Sequence, residues 1–413
     1  MTEKSPAVGD VIELETERLS YGGDAVARHE GLAVFIPLAA PGERLRVRIV
    51  ERKKNFARGV IEEIIEPAPE RREPPCRYFG SCGGCQLQHL SYSAQLKAKA
   101  ASVGEALKRI GKIDWPGDIE IRSSDELGYR TRAQVKIERA ARSGKVSGAR
   151  IGFNRAGSHA VIDVERCPIL TPELNSVLAS LRSDFNGPAR SESEFAKFPP
   201  SEIELAAGDL EVGSSPLIPQ APAETLVRTI GRERYTFGPS TFFQVNRFLL
   251  EELVGEAVGE EFGRLAIDLY AGVGLFTIPL ARSFDRVIGV ESDPRASAFA
   301  RLNVSENHVS NVEFHNHRTG DWLRSFAAKS GEKSYDLPDL VVLDPPRAGA
   351  AEAILPLIES RPERISYVSC DPTTLARDLR RLLDAGYELK GVKAFDLFPQ
   401  TYHVETVVRL QRA

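Results

Sequence analysis

Seven apolar runs of strand length occupy the second half of the chain, and helical stretches separate the early ones. Strands that alternate with helices are typical of an α/β domain, in which helices cover the faces of a mostly parallel sheet. Ligands bind to such sheets beyond the carboxyl ends of the strands. The sequence therefore predicts an α/β domain whose functional residues directly follow strands. The predicted strands are 266–269, 287–290, 312–314, 340–343, 365–369, 387–395 and 404–410.

The first of these runs leads into a turn with the sequence DLYAGVG, residues 268–274. Its glycines let the backbone approach a ligand closely. Thr277 stands where a dinucleotide fingerprint needs a third glycine, which disfavours a ligand with a pyrophosphate group. One strand later, Glu291 is placed to accept hydrogen bonds from ribose hydroxyls. Together these features favour S-adenosylmethionine, although a tight strand-to-helix turn explains the glycines equally well.

Two further polar side chains are expected beside the sheet. Asp344 begins the sequence DPPR directly after the run 340–343, so two prolines stiffen the backbone that carries this carboxylate. Gln244, in the sequence FFQVN, offers an amide that both donates and accepts hydrogen bonds. Both side chains are therefore candidates to contact a ligand at this edge of the sheet.

The five cysteines divide into a group of four and a single residue. Cys76, Cys82 and Cys85 lie in one glycine-rich segment, and Cys167 can complete a set of four. The N-terminus has no apolar run of signal-peptide length, and no stretch approaches the ~18 apolar residues of a membrane span. We therefore expect a cytoplasmic, reducing location, where a metal or iron–sulfur site is favoured over disulfides.

The remaining cysteine, Cys370, follows the run 365–369 and suggests a nucleophile. Carbon 5 of uracil is a poor nucleophile until a thiolate adds to carbon 6. A carboxylate must then remove the proton from carbon 5 so that the thiol can leave. Glu405 supplies such a carboxylate, and His403 is expected to pack or to orient its neighbours. The alternative for Cys370 is a buried structural thiol, and the alternative for Glu405 is a residue on the surface of a strand.

The first half of the chain predicts smaller β-rich units. Residues 1–65 contain short strands broken by turn residues, which predicts a small β-barrel. A proline-containing linker and a helix at 91–110 follow, and 118–235 is expected to be β-rich with longer loops. The chain carries a formal net charge of −4, yet the stretches Arg44 to Arg58 and Arg130 to Arg155 are basic. They suit a localised polyanion-binding track, with solvated strand faces as the alternative.

Four motifs together resemble the RNA uracil-5 methyltransferases of the RumA/TrmA type. They are DLYAGVG, DPPR, SCDP and HVET, in this order and spacing, and the resemblance spans most of the chain. It implies a Rossmann-like class I S-adenosylmethionine methyltransferase domain, formed by 91–117 and 236–413. It also implies an N-terminal OB-like barrel of the TRAM type at 1–65, and a β-rich central iron–sulfur domain formed by 66–90 and 118–235.

The resemblance also implies roles for individual residues. Cys370 would be the nucleophile and Glu405 the general base. One departure concerns Leu275, since several members of the family carry Asn there and use it as a polar contact. The residues implied to bind the cofactor or line its pocket are Gln244, Tyr270, Glu291 and Asp344. The residues implied to hold a [4Fe-4S] cluster are Cys76, Cys82, Cys85 and Cys167.

The function that follows is methyl transfer from S-adenosylmethionine to C5 of a uridine in RNA. A barrel together with a cluster favours 23S ribosomal RNA, and a T-loop uridine of tRNA is the alternative. A redox-sensing RNA-binding protein with an inactive methyltransferase fold would have damaged catalytic motifs, whereas these are intact. A structural zinc site is a further alternative for the four cysteines. RNA is the expected partner, and a monomer is the expected state. We expect Asp344 to accept a hydrogen bond from N3–H of the uracil and Gln244 to donate to its O4, a pattern that cytosine does not satisfy. Alternatively, either residue contacts only the cofactor.

Overall fold

The structure is a computed structural model that describes residues 6–142, 145–186, 201–330 and 337–413. The chain begins with a barrel whose strands are β1 (Val11–Leu19), β2 (Ala25–His29), β3 (Leu32–Ile36), β4 (Arg44–Arg52) and β5 (Phe56–Glu66). They close in the order β1-β2-β3-β5-β4. Leu45, Val47 and Ile49 of β4 point into the barrel, because side chains alternate between the two faces of a strand. The predicted N-terminal barrel is confirmed.

A second sheet contains six strands, which are β7 (Arg132–Arg142), β8 (Lys145–Asn154), β9 (Val161–Asp163), β10 (Glu202–Ala207), β11 (Val212–Ile218) and β12 (Ala221–Pro222). Their order in the sheet is β12-β11-β10-β7-β8-β9. Helix α2 (Pro172–Asn186) packs on this sheet, and both contribute to one apolar core. A separate two-stranded sheet pairs β13 (Leu226–Ile230) with β14 (Glu233–Phe237).

The third sheet contains all seven strands predicted in the second half of the chain. They are β15 (Gly263–Leu269), β16 (Phe284–Glu291), β17 (Val312–Asn316), β18 (Leu340–Leu343), β19 (Arg364–Ser369), β20 (Tyr387–Phe395) and β21 (Glu405–Arg412). Their order is β17-β16-β15-β18-β19-β21-β20, and β6 (Glu120–Arg122) is added beyond β20. Residues 120–122 lie within the segment predicted for the central domain, yet they pair with β20 in parallel register.

Helices cover both faces of this sheet. On one face lie α1 (Tyr92–Ala106), which continues as a π-helix (Leu107–Gly111), and α6 (Thr319–Ser330), α7 (Ile354–Glu359) and α8 (Pro372–Asp384). On the other face lie α3 (Leu250–Val258), α4 (Thr277–Leu280) and α5 (Pro294–Glu306). Within the described ranges, none of these helices combines the length and the apolar character needed to cross a bilayer.

The strand order places several chain segments at one edge of the sheet. Strands β15 to β19 run parallel, and the order reverses on either side of β15. Strand β21 runs antiparallel to β19, so its first residue lies at the edge where β15, β16, β18 and β19 end. The barrel also docks near this region, because Arg18 of β1 pairs with Glu105 of α1 at 3.1 Å. Side chains from distant parts of the sequence therefore meet at this edge.

Candidate active site

Cys370 and Glu405 occupy opposite positions at the edge of the sheet. Strand β19 pairs antiparallel with β21, and the last paired residues are Ser369 and Thr406. The next positions in the same register are Cys370 and Glu405, and directly opposite residues of an antiparallel pair have neighbouring side chains. Glu405 is buried, whereas Cys370 is half-buried. The structure thus brings together the two residues predicted to act on the base.

The surroundings of this pair disfavour the negatively charged forms of Cys370 and Glu405. Burial, together with the nearby carboxyl groups of Glu405 and Asp344, raises the pKa of the Cys370 thiol to about 12, while Arg347 acts in the opposite direction. Burial and Asp344 also raise the pKa of Glu405 well above its usual value. Among the described residues, no group donates a hydrogen bond to Glu405 Oε1. A buried carboxyl oxygen without a partner is available to a ligand.

Asp344 and Gln244 form the next part of the site. Asp344 follows β18, and Gln244 Nε2 donates to its Oδ2 at 3.3 Å. Burial raises the pKa of Asp344 to about 7, although the hydrogen bond from Gln244 lowers it. The two aromatic residues before Gln244 differ in placement, since Phe243 is buried and stacks on Phe237, whereas Phe242 is 66% exposed. Of the two candidates for stacking on a base, only Phe242 is accessible.

The glycine turn lies between β15 and α4. Gly272 and Gly274 have φ values of 55° and 92°, a region that favours glycine, and Tyr270 adopts φ 63°. Glu291 Oε2 accepts a hydrogen bond from the Gly272 amide at 2.8 Å, which ties the end of β16 to the turn. An added Cβ at Gly272 would meet no atom within 4 Å, so open space adjoins the turn. This arrangement leaves room for a ligand beside the turn at Gly272.

Asp268, the first residue of the DLYAGVG motif, is a functional candidate whose role is not evident from the sequence. It is fully buried, and burial raises the pKa of its carboxyl to about 7. The Thr277 hydroxyl donates to Asp268 Oδ2, which explains why a hydroxyl residue replaces the third glycine. Within the described part of the chain, Oδ1 has no hydrogen-bond partner. Leu275, by contrast, packs into the core and makes no polar side-chain contact.

A second active-site feature not foreseen from the sequence is the contact between Arg347 and His403. A guanidinium nitrogen of Arg347 lies 3.3 Å from Nε2 of His403. Burial and the charge of Arg347 lower the pKa of His403 to about 4, so the imidazole is neutral and accepts this hydrogen bond. His403 therefore holds Arg347, the cation that moderates the negative environment of Cys370. Both residues lie inside the quoted DPPR and HVET motifs.

Four cysteines from two segments line one cavity of about 510 Å³. Cys76, Cys82, Cys85 and Cys167 are all free thiols in the structure. Burial raises the pKa of Cys85 to about 12 and that of Cys167 to about 11, and each thiol interacts with others of the set. No group of three or more His, Cys, Asp or Glu side chains among the described residues has the arrangement of a metal-ion site.

In both basic stretches, several basic side chains contact groups of the protein itself, unlike those of a simple polyanion-binding track. On the barrel, Arg44 and Arg46 both pair with Glu13, and Arg48, Lys53 and Arg58 of this stretch also have acidic partners. In the second stretch, the Arg132 guanidinium donates to the carbonyls of Pro239 and Thr241 and is structural. Arg130 and Arg155 line the cysteine cavity, whose wall also includes Arg347 and His403. Exposed ion pairs are weak, so phosphates can compete for the barrel arginines.

Comparison with known proteins gives matches along the whole chain. The family model described as tRNA (Uracil-5-)-methyltransferase matches residues 224–413, and the TRAM domain model matches residues 7–61. A protein of Aquifex aeolicus described as an uncharacterized RNA methyltransferase is 34% identical, covering 97% of this chain and 98% of its own. A protein of Cronobacter sakazakii named 23S rRNA (uracil(1939)-C(5))-methyltransferase RlmD is also 34% identical, with 98% and 96% covered.

A solved structure gives a similar result. The tRNA (uracil-54, C5)-methyltransferase of Pyrococcus abyssi, in complex with S-adenosyl-L-homocysteine, is 26% identical to this chain. The two structures superimpose with a TM-score of 0.72, covering 97% of this chain and 100% of the other. The similarity therefore includes the barrel and the central sheet as well as the sheet that carries Cys370.

Proposed function

Because this chain belongs to the family of RNA uracil-C5 methyltransferases, we propose that it methylates C5 of one uridine in 23S ribosomal RNA, with S-adenosylmethionine as the methyl donor. The observation that carries the chemistry is the opposite placement of Cys370 and Glu405 beside Asp344. Full-length similarity to a 23S ribosomal RNA enzyme supports the choice of RNA. The archaeal tRNA enzyme makes a tRNA uridine the second candidate.

The first step is addition of the Cys370 thiolate to C6 of the uracil. The sulfur–C6 bond forms, and the electrons of the C5–C6 double bond move towards C5 and O4. Cys370 must lose its proton before or during this attack, although its surroundings favour the neutral thiol. The positive charge of Arg347 favours the thiolate and thereby supports the step.

The second step forms the new carbon–carbon bond. C5 attacks the methyl carbon of the sulfonium, the sulfur–methyl bond breaks, and S-adenosylhomocysteine leaves. The Glu405 carboxylate then removes the proton from C5, the C5–C6 double bond forms again, and Cys370 departs as a thiolate. A pKa well above the usual value makes Glu405 a stronger base than an exposed carboxylate. Its Oε1, which has no hydrogen-bond partner among the residues that the structure describes, is the atom available to accept the proton.

The cofactor would occupy the space beside the glycine turn. Glu291, Tyr270 and the open side of Gly272 are placed to contact its ribose and adenosyl portion. Asp344 and Gln244 lie between this space and Cys370, which suits them to the Watson–Crick edge of the uracil or to the methionyl end of the cofactor. Phe242 is exposed and suited to stack on a neighbouring base. The barrel would hold RNA that surrounds the target.

We also propose that Cys76, Cys82, Cys85 and Cys167 hold a [4Fe-4S] cluster. Four thiols that face a single cavity are a suitable donor set, and no disulfide competes for them. Such a cluster would link the segment around Cys82 to the loop that carries Cys167. Its role would be structural. The domain boundaries, the cytoplasmic location and the monomeric state remain predictions.

Mapping of 5-methyluridine tests the function. RNA from a strain that lacks this gene should lose 5-methyluridine at one position of 23S ribosomal RNA, and the purified enzyme should restore it in that RNA. Restoration only in tRNA would select the second candidate. Unchanged 5-methyluridine in both RNAs, together with an inactive purified enzyme, would contradict RNA uracil methylation.

A further inference from the structure

The turn between β1 and β2 of the barrel reaches the nucleophile. The Tyr21 hydroxyl donates a hydrogen bond to the carbonyl oxygen of Cys370 at 3.4 Å. The same hydroxyl interacts with the side chain of Asp371, which caps helix α8. The ring of Tyr21 packs edge-on against Tyr402, with ring centroids 5.4 Å apart. One barrel residue therefore contacts the segment after β19 and the segment before β21.

A glycine makes this close approach possible. Gly23 has φ 92°, and a Cβ added there would lie 3.1 Å from a side-chain carbon of Gln86 and 3.6 Å from one of Tyr402. The barrel turn thus packs tightly against the cysteine segment and the segment that leads to Glu405. Arg71 strengthens the docking, since its guanidinium donates to the Leu38 carbonyl of the barrel at 2.8 Å. The barrel is thus fixed both to the segment 66–90 and to the segment that leads to Glu405.

The contacts of Tyr21 continue into the active site. Tyr402 packs against His403, with ring centroids 4.1 Å apart, and His403 accepts the hydrogen bond from Arg347. The segments that Tyr21 touches carry Cys370 and Glu405 respectively. A displacement of the Tyr21 turn would therefore change the position of one catalytic residue relative to the other.

We propose that Tyr21 is a positioning residue for catalysis, through which the docked barrel fixes Cys370 and Glu405 in the geometry needed for addition to uracil. The inference rests on the proposed function, because it assigns Tyr21 to the same reaction. A positioning role for Tyr21 has a different kinetic effect from a role in which the barrel only holds RNA. An RNA-holding residue affects the KM for RNA, whereas a positioning residue affects the rate of the bound complex.

The test uses the full-length enzyme with Tyr21→Phe, which removes only the hydroxyl. Tyr387→Phe is a matched control, because the Tyr387 hydroxyl donates to the Pro362 carbonyl at 2.9 Å at the opposite end of the sheet. The substrate is the transcript, 23S ribosomal RNA or tRNA, that the wild-type enzyme methylates. The same transcript made with 5-fluorouridine traps the covalent adduct, since fluorine at C5 blocks its breakdown. The amount of covalent enzyme–RNA adduct is measured over time by denaturing gel electrophoresis.

We expect Tyr21→Phe to lower kcat and the rate of adduct formation about three- to tenfold, the effect of one hydrogen bond. The KM for RNA should change less than about twofold by the same reasoning. Tyr21→Ala should lower the rate further, because it also removes the ring contact with Tyr402. Tyr387→Phe should match the wild type.

The proposal is overturned if Tyr21→Phe forms adduct as fast as Tyr387→Phe, or if its whole effect lies in the KM for RNA. An equal loss of thermal stability and rate in both variants would also overturn it, because that result indicates a general folding effect. Failure of the proposed function is distinguishable from these outcomes. In that case the wild-type enzyme itself would methylate neither 23S ribosomal RNA nor tRNA and would form no adduct with either.

Discussion

Lys99 and Asp396 form an ion pair inside the protein, with Lys99 Nζ 2.5 Å from Asp396 Oδ1 and both side chains at most 1% exposed. Lys99 lies in α1, and Asp396 directly follows β20. Lys99 Nζ also donates to the Phe398 carbonyl at 3.0 Å. This pair fixes the start of the segment 396–404, which leads to Glu405 at the beginning of β21.

Loss of one partner of this pair should destabilise the catalytic domain. Asp396→Ala leaves the Lys99 ammonium buried without its counter-charge, a change that costs about 3–5 kcal/mol. The double variant Lys99→Met/Asp396→Ala should be more stable than Asp396→Ala alone. Unfolding in urea can be followed by the fluorescence of Trp115 and Trp322, which both pack against the core on this face of the sheet. Arg44→Met breaks an exposed ion pair and is the control.

Equal stability of the double variant and Asp396→Ala would contradict this interpretation. It would mean that the buried charge of Lys99 contributes nothing to the cost.

The two residues predicted to act on uracil should give different defects. Cys370→Ala should abolish methyl transfer and adduct formation while S-adenosylmethionine binding persists, because the thiol acts on the base. Glu405→Gln should instead accumulate a covalent enzyme–RNA adduct, since the methylated intermediate cannot lose its C5 proton. The measurements are methyl incorporation and denaturing electrophoresis. Glu388→Gln, in an exposed ion pair of β20, is a control that should behave as the wild type.

Turnover by Cys370→Ala at the normal rate would exclude the covalent mechanism. Absence of adduct in Glu405→Gln with full turnover would remove Glu405 as the base.

The reactivity of Cys370 should depend steeply on pH. Its pKa is raised to about 12, so the thiolate is a minor species at neutral pH, and alkylation of the free enzyme by iodoacetamide should speed up about tenfold per pH unit from pH 7 to 9. Arg347 lowers this pKa, hence Arg347→Gln should raise it and slow alkylation at every pH in that range. Mass spectrometry of the Cys370 peptide measures the rate separately from the other cysteines.

Arg324→Gln is the matched control, because Arg324 lies in α6 and pairs with Asp321 in an exposed position. An alkylation rate that is fast and independent of pH from 7 to 9 would contradict a raised pKa of Cys370.

The four clustered cysteines should bind iron and sulfide as one unit. Replacement of any one by Ser should lower the iron and sulfide content and the unfolding temperature of anaerobically prepared protein, whereas Cys370→Ser should leave both unchanged. Four iron and four sulfide per chain is the stoichiometry of a [4Fe-4S] cluster. Elemental analysis provides the measurement. Zinc in place of iron, or no metal in the anaerobic preparation, would refute the cluster.

The catalytic-domain sheet could be predicted from the sequence because its strands are buried apolar runs. Each of the seven predicted strands is present, and Cys370 and Asp344 follow strands as expected. Strand β6 could not be predicted, since it has three residues, of which only Ile121 is apolar. Its strand character comes from pairing with β20, a contact that local sequence does not encode.

The candidate site was predictable to the extent that its residues follow strands or lie in motifs. The burial of Phe243 and the exposure of Phe242 could not be predicted, because the local sequence does not distinguish two adjacent aromatic residues. The contact between Tyr21 and Cys370 was not predictable either, because it joins residues 349 positions apart and depends on how the barrel docks. Local patterns carry little information about such docking.

Strand β6 has a consequence for attempts to divide this protein. A fragment that starts at residue 224, where the match to the methyltransferase family model begins, would lack α1 and β6. Strand β20 would then be an open edge, with unpaired backbone groups ready to pair with another chain. The apolar surface that α1 covers would be exposed beside that edge. Such a fragment should self-associate, so the methyltransferase portion is not an autonomous module that can be transplanted between proteins.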